Sequence, residues 1–148
     1  MAGVGFIAKT AEIATGVALK TLLQVVAAAN HAVLVKEWSI SFKGVSTTGT
    51  PILVEFLRQT TAGTMTALTL VKDPDDTDET LQATAQHTAT VEPTAGDVLD
   101  TKLVHPQTGY TWQAPFGGMK KIGGGDRMAL RVTADASINA VASMVCEE

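Results

Sequence analysis

The clearest pattern along the chain lies in residues 33–43, where apolar and polar residues alternate. From Trp38 to Phe42 the alternation is strict, and it places Trp38, Ile40 and Phe42 on one face of a strand. Residues 52–58 repeat the pattern, which predicts a neighbouring strand. One apolar face and one polar face are typical of an antiparallel sheet that covers a core on one side.

Most of the remaining chain predicts further short strands, each bounded by Gly, Pro, Asn or Asp. Residues 11–29 predict strand rather than a long helix, because Thr and Val are frequent there and Gly16 lies inside; a short helix stays open. Residues 60–80 and 115–126 are predicted to be surface loops. This spacing favours an all-β, single-domain antiparallel β-sandwich or barrel. The other predicted strands are 21–27, 82–91, 98–104, 110–114, 128–134 and 138–146.

The first ten residues are predicted to be an extended N-terminal arm, with the sandwich domain over 11–148. Val4, Phe6 and Ile7 form a short apolar patch there that has no obvious role in a core. We expect this patch to contact a partner, and removal of residues 1–10 to leave folding nearly intact. No export signal is expected, because the patch is short and no basic residue precedes it.

The composition narrows the class of protein. A chain of 148 residues, 45% hydrophobic and 18% charged, is typical of one globular domain. Its formal net charge of −4 makes direct nucleic-acid binding improbable as a role. The single Cys146 cannot close a disulfide within the chain, which fits assembly in a reducing compartment. Polar residues interrupt the apolar stretch 19–35, so no membrane partner is expected.

No pattern of residues predicts a catalytic, cofactor or metal site, and we expect the protein not to be an enzyme. His31, His87 and His105 are far apart in sequence, whereas metal sites of small β-barrels use close pairs. The acidic run 73–79 lacks the Gly and Glu that a calcium loop needs at fixed positions. The glycine-rich segment 117–125 lacks the Lys-Ser/Thr of a phosphate-binding loop. Carboxylate pairs that meet only in the fold stay open.

Two aromatic residues are candidates for contact with a partner. Trp38, Phe42 and Phe56 are in phase with predicted strands, which places them in the core. Trp112 and Phe116 instead lie beside the glycine-rich segment. Together with the amino-terminal patch, these two residues form the predicted set of partner contacts.

Eight segments, which together span most of the chain after residue 30, carry a resemblance to a known family. They are residues 33–42 (VLVKEWSISF), 44–46 (GVS), 51–58 (PILVEFLR), 60–64 (TTAGT), 92–94 (EPT), 104–109 (VHPQTG), 129–134 (ALRVTA) and 138–140 (INA). In overall pattern the chain resembles the small structural proteins of tailed bacteriophages, of the minor capsid or head-decoration type.

This resemblance implies a function as a capsid decoration (cement) protein. Such a protein sits as a homotrimer on the outer surface of the head of a virion that is assembled in the host cytoplasm. It bridges neighbouring subunits of the major capsid protein, without a cofactor and without touching the packaged DNA. The resemblance also implies that the sandwich is jelly-roll-like.

Two alternatives stay open at this point. Tail and tail-tip subunits of phages share short strands and long hairpins, and rings or tubes in electron micrographs would favour them. A small β-barrel that binds sugars or other ligands, or a cupin-like enzyme, would also produce this strand pattern. A stoichiometric transition metal in the purified protein would favour the cupin-like class.

Overall fold

The computed structural model of the protein describes residues 3–43, 50–73 and 79–148. In these residues all helical and extended structure is β-strand, which confirms the predicted all-β class. The strands are β1 (Gly5–Lys9), β2 (Ile13–Ala14), β3 (Lys20–Val26), β4 (Val33–Lys43), β5 (Ile52–Gln59), β6 (Thr64–Leu68), β7 (Val71–Lys72), β8 (Thr84–Val91), β9 (Ala95–Val104), β10 (Tyr110–Gln113), β11 (Lys120–Ile122), β12 (Arg127–Thr133) and β13 (Asn139–Glu147).

The strands form two antiparallel sheets, consistent with the predicted β-sandwich. Sheet A has the order β10-β4-β13-β1-β7, with β11 also on β4 and β2 also on β13. Sheet B has the order β6-β8-β3-β12-β5-β9. The chain passes from an edge of sheet B to an edge of sheet A twice, from β6 to β7 and from β9 to β10. Buried side chains from both sheets form one core, which includes Phe6, Trp38, Ile40, Met144, Leu23, Val25, Phe56 and Leu130.

Strand β4 contains one break in its alternation, and the structure explains it. Val35 and Trp38 are both buried, although three residues of regular strand would place them on opposite faces. Strand β13 pairs with residues 35 and 37 but skips Lys36, so the register shifts there. This β-bulge restores the inward direction of the apolar residues on both sides of Lys36.

The structure contradicts the predicted N-terminal arm in the described residues 3–10. Strand β1 pairs with β13 on one side and with β7 on the other. The side chains of Phe6 and Ala8 are 0% exposed, because the alternation of this short strand turns both toward the core. Removal of residues 1–10 would therefore take a strand out of the interior of sheet A, so we expect this deletion to impair folding.

Two segments predicted to be surface loops contain strands. Residues 60–80 include β6 and β7, and residues 115–126 include β11. All three strands are short, and β6 is mostly exposed, so they lack the apolar alternation that marks β4 and β5. The carboxylates of the acidic run between Asp73 and Glu79 lie outside the described residues, and so does most of the segment 44–50, whose Gly, Ser and Thr residues predict a loop.

Polar side chains connect β3, β5 and the segment between β8 and β9 through hydrogen bonds. Gln24 Nε2 on β3 donates to Gln59 Oε1 on β5 at 2.7 Å, and Gln59 Nε2 donates to Thr21 Oγ1 at 2.9 Å. Thr21 Oγ1 in turn donates to the carboxylate of Glu92 at 2.6 Å, and Thr21 N donates to the same carboxylate at 2.9 Å. Each of these hydrogen bonds lowers the cost of burying its donor and acceptor, whereas Gln24 Oε1 has no partner among the described residues.

A bend at Thr88 brings Glu92 to this network. Thr88 has a φ of 55°, which is rare for a β-branched residue. The pairing of β8 with β3 ends at the preceding residue, His87. The chain then leaves β3 and reaches β9, and Thr60 N on the β5–β6 connection donates to Thr94 O at 2.9 Å. Because of this bend, the connection between β8 and β9 reaches β3 through Glu92 and the end of β5 through Thr94.

We predict that Trp38→Ala lowers the free energy of unfolding by about 3–5 kcal/mol, because a buried indole ring leaves a cavity. Urea unfolding of both proteins measures the difference. Trp38→Phe is the control: it keeps a ring in the core and removes an indole N–H that has no hydrogen-bond partner among the described residues. Equal midpoints for wild type and Trp38→Ala would contradict the core position.

We predict that Gln59→Ala lowers the free energy of unfolding by about 1–3 kcal/mol, because Gln24 Nε2 and Thr21 Oγ1 both lose a buried partner. The control is Gln113→Ala, which removes an exposed amide that bonds only at the surface. Its change should stay within about 0.5 kcal/mol. Similar losses in both variants, measured by urea unfolding, would show that the network does not stabilise the fold.

Candidate functional site

One edge of the sandwich holds four aromatic rings that join the two sheets. Trp38 on β4 lies 6.0 Å from Phe56 on β5 and 5.3 Å from Tyr110 on β10, measured between ring centroids. Phe56 lies 6.4 Å from Trp112 on β10. These separations fall within the range of favourable ring contacts. Trp112 is therefore half-buried, and its ring supports the edge strand from the core side.

Two lysines cover the outer rings of this cluster. The Nζ atom of Lys102 lies 5.7 Å from the Tyr110 ring centroid, and that of Lys120 lies 6.0 Å from the Trp112 centroid. Lys102 also pairs with Asp100 at 3.1 Å, and the hydrogen bond that Lys102 donates to this carboxylate raises the pKa of Lys102. Charged side chains at the edge between two sheets discourage the addition of another strand. The two lysines therefore disfavour the pairing of a further strand with this edge, whereas the turn between β10 and β11 is accessible to a partner.

The turn between β10 and β11 presents Phe116 to solvent. Gly118 N donates to Pro115 O at 2.7 Å, and Gly117 has a φ of 74°, so residues 115–118 form a type II turn. The third position of this turn type requires a positive φ, which glycine adopts without strain. Phe116 occupies the second position, and its side chain is fully exposed. A large apolar side chain is therefore held away from the core on a defined backbone.

The surroundings of Phe116 are apolar and positively charged. Met119 is 40% exposed, and Lys120 and Lys121 follow it directly. Residues 110–122 contain no Asp or Glu, although the whole chain has a net charge of −4. We name residues 115–121 the Phe116 turn. Its chemistry suits an apolar pocket that is bordered by carboxylates.

The predicted contact residues fall into two separate places. Trp112 and Phe116 lie on and beyond the edge strand β10, and Phe116 alone is fully exposed. Phe6 is buried in the core, so it cannot contact a partner in the folded chain. Val4 and Ile7 are half-buried beside it, and β1 is separated from β10 by β4 and β13. The structure does not bring the two predicted groups together.

The sequence reasoning missed the lysines and Met119 at this edge. Lys102 and Lys120 take inward positions of edge strands, where the pattern of a half-buried strand predicts an apolar residue. The sequence does contain a signal for a positively charged surface here, because Lys120 and Lys121 lie in a segment without carboxylates. The contact of each lysine with a particular ring depends on the pairing of β10 and β11 with β4, which the sequence pattern does not define.

The histidines lie apart in the structure. His31 is exposed before β4 and its Nε2 accepts a hydrogen bond from Gln82 Nε2 at 3.0 Å. His87 lies within β8, and His105 follows β9, where its Nδ1 accepts from Gln107 N at 3.2 Å. Within the described ranges, no group of three His, Cys, Asp or Glu side chains could hold a metal ion. None of the described segments forms a helix long and apolar enough to span a membrane.

Several carboxylates bind neighbouring strands. Arg131 binds Glu55 through two hydrogen bonds of 3.1 Å between adjacent strands of sheet B. The Glu147 carboxylate binds Lys36 across sheet A, and this hydrogen bond lowers the pKa of Glu147. These pairs connect β12 to β5 and β13 to β4, which is a structural role.

Comparisons of this chain with known protein families, with curated proteins and with solved structures found no match. The residues and the geometry of the molecule are therefore the basis for the proposed function.

The thiol of Cys146 is held in the core of sheet A. It is 0% exposed, and burial raises the pKa of this thiol to about 12. In the unfolded chain the same group has an ordinary pKa near 9. Between these values the unfolded state loses the proton and the folded state keeps it, so stability falls as pH rises.

We predict that wild type loses about 1 kcal/mol more stability than Cys146→Ala between about pH 8 and about pH 10. Urea unfolding of both proteins at the two pH values measures this difference. Other titrating groups are common to both proteins and cancel. Parallel losses in the two proteins would contradict a thiol that stays protonated in the core.

Proposed function

We propose that the protein is a virion structural protein of a bacteriophage, and that it acts as a capsid decoration protein. It binds the outer surface of the head and bridges neighbouring major capsid subunits. The single observation that carries this proposal is the fully exposed Phe116 on a type II turn. The resemblance of eight chain segments to head-decoration proteins supports it, and so does the two-sheet fold. The proposal includes the jelly-roll-like form and the homotrimer that this resemblance implies.

The turn has the properties of an anchor that binds another protein. Large aromatic residues at the centre of an interface contribute most of its binding energy. Full burial of a Phe side chain contributes about 1.5–3 kcal/mol. A fixed turn loses little conformational freedom on binding, so more of this energy appears as affinity. Phe116 meets these conditions, because its side chain is exposed and its turn is fixed by one hydrogen bond and one glycine.

The mechanism of a decoration protein is mechanical. A protein that binds the assembled lattice, and not its separated subunits, stabilises the lattice by mass action. Threefold positions of a head suit a trimer, because each copy presents the same surface patch to one neighbour. The sandwich provides a stable body for this bridge, since both sheets share one core.

We predict that the purified protein co-sediments with undecorated heads of the phage that encodes it, at a fixed ratio to the major capsid protein. Phe116→Ser should weaken this binding by about 10- to 100-fold, which corresponds to the lost burial of the ring. Val17→Ser is the matched control, because Val17 is 68% exposed on the connection between β2 and β3. Native mass measurement of heads with and without the protein gives the ratio.

Two results would overturn the proposal. Binding to isolated tails and not to heads would assign the protein to the tail. Absence of the protein from purified virions would remove the virion role altogether. Circular dichroism of each variant checks that the sandwich is folded, so that a loss of binding is a property of the Phe116 turn.

A further inference from the structure

A cavity opens at the end of the sandwich where β1 and β4 begin and β13 ends. Its volume is about 390 Å³, within the range of pockets that hold a small ligand or one aromatic side chain. Four separate segments of the chain form its walls. They contribute Val4, His31, Glu79, Thr80, Gln82 and Glu148.

Hydrogen bonds fix three walls of this cavity. The Glu148 carboxylate accepts from Gln82 N at 2.7 Å and from Ala83 N at 2.8 Å. The side chain of Gln82 donates to His31 Nε2 at 3.0 Å. Val4 N and Glu148 N each donate to the carbonyl of the other residue, which fixes the third wall. The cavity is therefore formed before anything enters it.

The chemistry of the cavity is the complement of the Phe116 turn. Val4 offers apolar surface inside, and Glu79 and Glu148 provide two carboxylates. The Phe116 turn offers an apolar ring followed by Lys120 and Lys121. The turn projects from the edge of sheet A where β10 and β11 pair with β4, and the cavity lies where β1 and β4 begin and β13 ends. A contact between them therefore joins two different patches, one on each copy.

We propose that the Phe116 turn of one copy inserts into this cavity of a second copy. The ring of Phe116 packs on Val4, and Lys121 lies near the carboxylate of Glu79. A contact between two different patches is heterologous, and it closes into a ring when the rotation between copies closes. The contact rests on the fold and not on the proposed virion role. Each copy has one Phe116, so its ring binds either a second copy, in the free protein, or a capsid subunit on the head, and the two contacts exclude each other.

The first test measures the mass of the purified protein by sedimentation equilibrium up to about 100 µM, where contacts weaker than about 5.5 kcal/mol are not populated. Wild type should assemble, and Phe116→Ser and Lys121→Glu should each weaken assembly by ~10-fold or more. Val17→Ser, the control, should assemble like wild type. A monomeric wild type, or an unchanged Phe116→Ser, would overturn the proposal even if the protein binds heads.

The second test has two parts. It exchanges the charges of Glu79 and Lys121, and it mixes two variants that each lack one side of the contact. Glu79→Lys should weaken assembly, and the double variant with Lys121→Glu should restore it. Phe116→Ser lacks the inserting ring, and Thr80→Trp blocks the cavity, so each should be monomeric alone. Their mixture should form dimers and no larger species, because only one complete contact remains per pair. No dimer in the mixture, with both variants folded by circular dichroism, would show that turn and cavity do not bind each other.

Discussion

The structure depends on one constraint, which is that every strand must turn its apolar side chains into the space between the two sheets. Side chains alternate with a period of two, so a slip of one residue would reverse a whole strand. β-Bulges correct the register where the sequence departs from this period. Lys36 is the extra residue opposite β13, and further shifts occur between β12 and β3 at Leu130 and between β5 and β9 at Phe56. These local irregularities keep Trp38, Phe56 and Leu130 in one core.

Strands with long alternation were predictable from the sequence. The prediction over 33–43 matches β4 in full, and 52–58 matches all but one residue of β5. Strand β1 was missed because its inward pair is one Phe and one small Ala, which gives a weak pattern beside the outward Ile7. The network of Gln24 and Gln59 could not be predicted either, since its two amides are 35 residues apart and meet only through the pairing of β3 and β5 with β12.

Only part of the candidate site was predictable, because a local sequence pattern identifies single residues and not the contacts between distant segments. Phe116 stands in a glycine-rich segment, and the structure places it on a fixed turn with its ring in solvent. Trp112 was grouped with it, yet its ring contacts Phe56 and belongs mainly to the core edge. The cavity was not predictable, because its walls come from four separate parts of the chain and depend on the approach of His31 and Gln82 to Glu148.

The pairing of β1 with β13 has a consequence for how the chain is made. Strand β1 is synthesised well before residues 143–147, which pair with it on one side, while its partners on the other side, Val71 and Lys72, are synthesised earlier. The contacts of Phe6 with β13 therefore form only after residues 143–147 have left the exit tunnel, and sheet A is completed only then. Contacts this distant in sequence are slow to form and leave apolar surface uncovered meanwhile. Nascent chains that stall before residue 143 are the form of this protein that a chaperone should recognise.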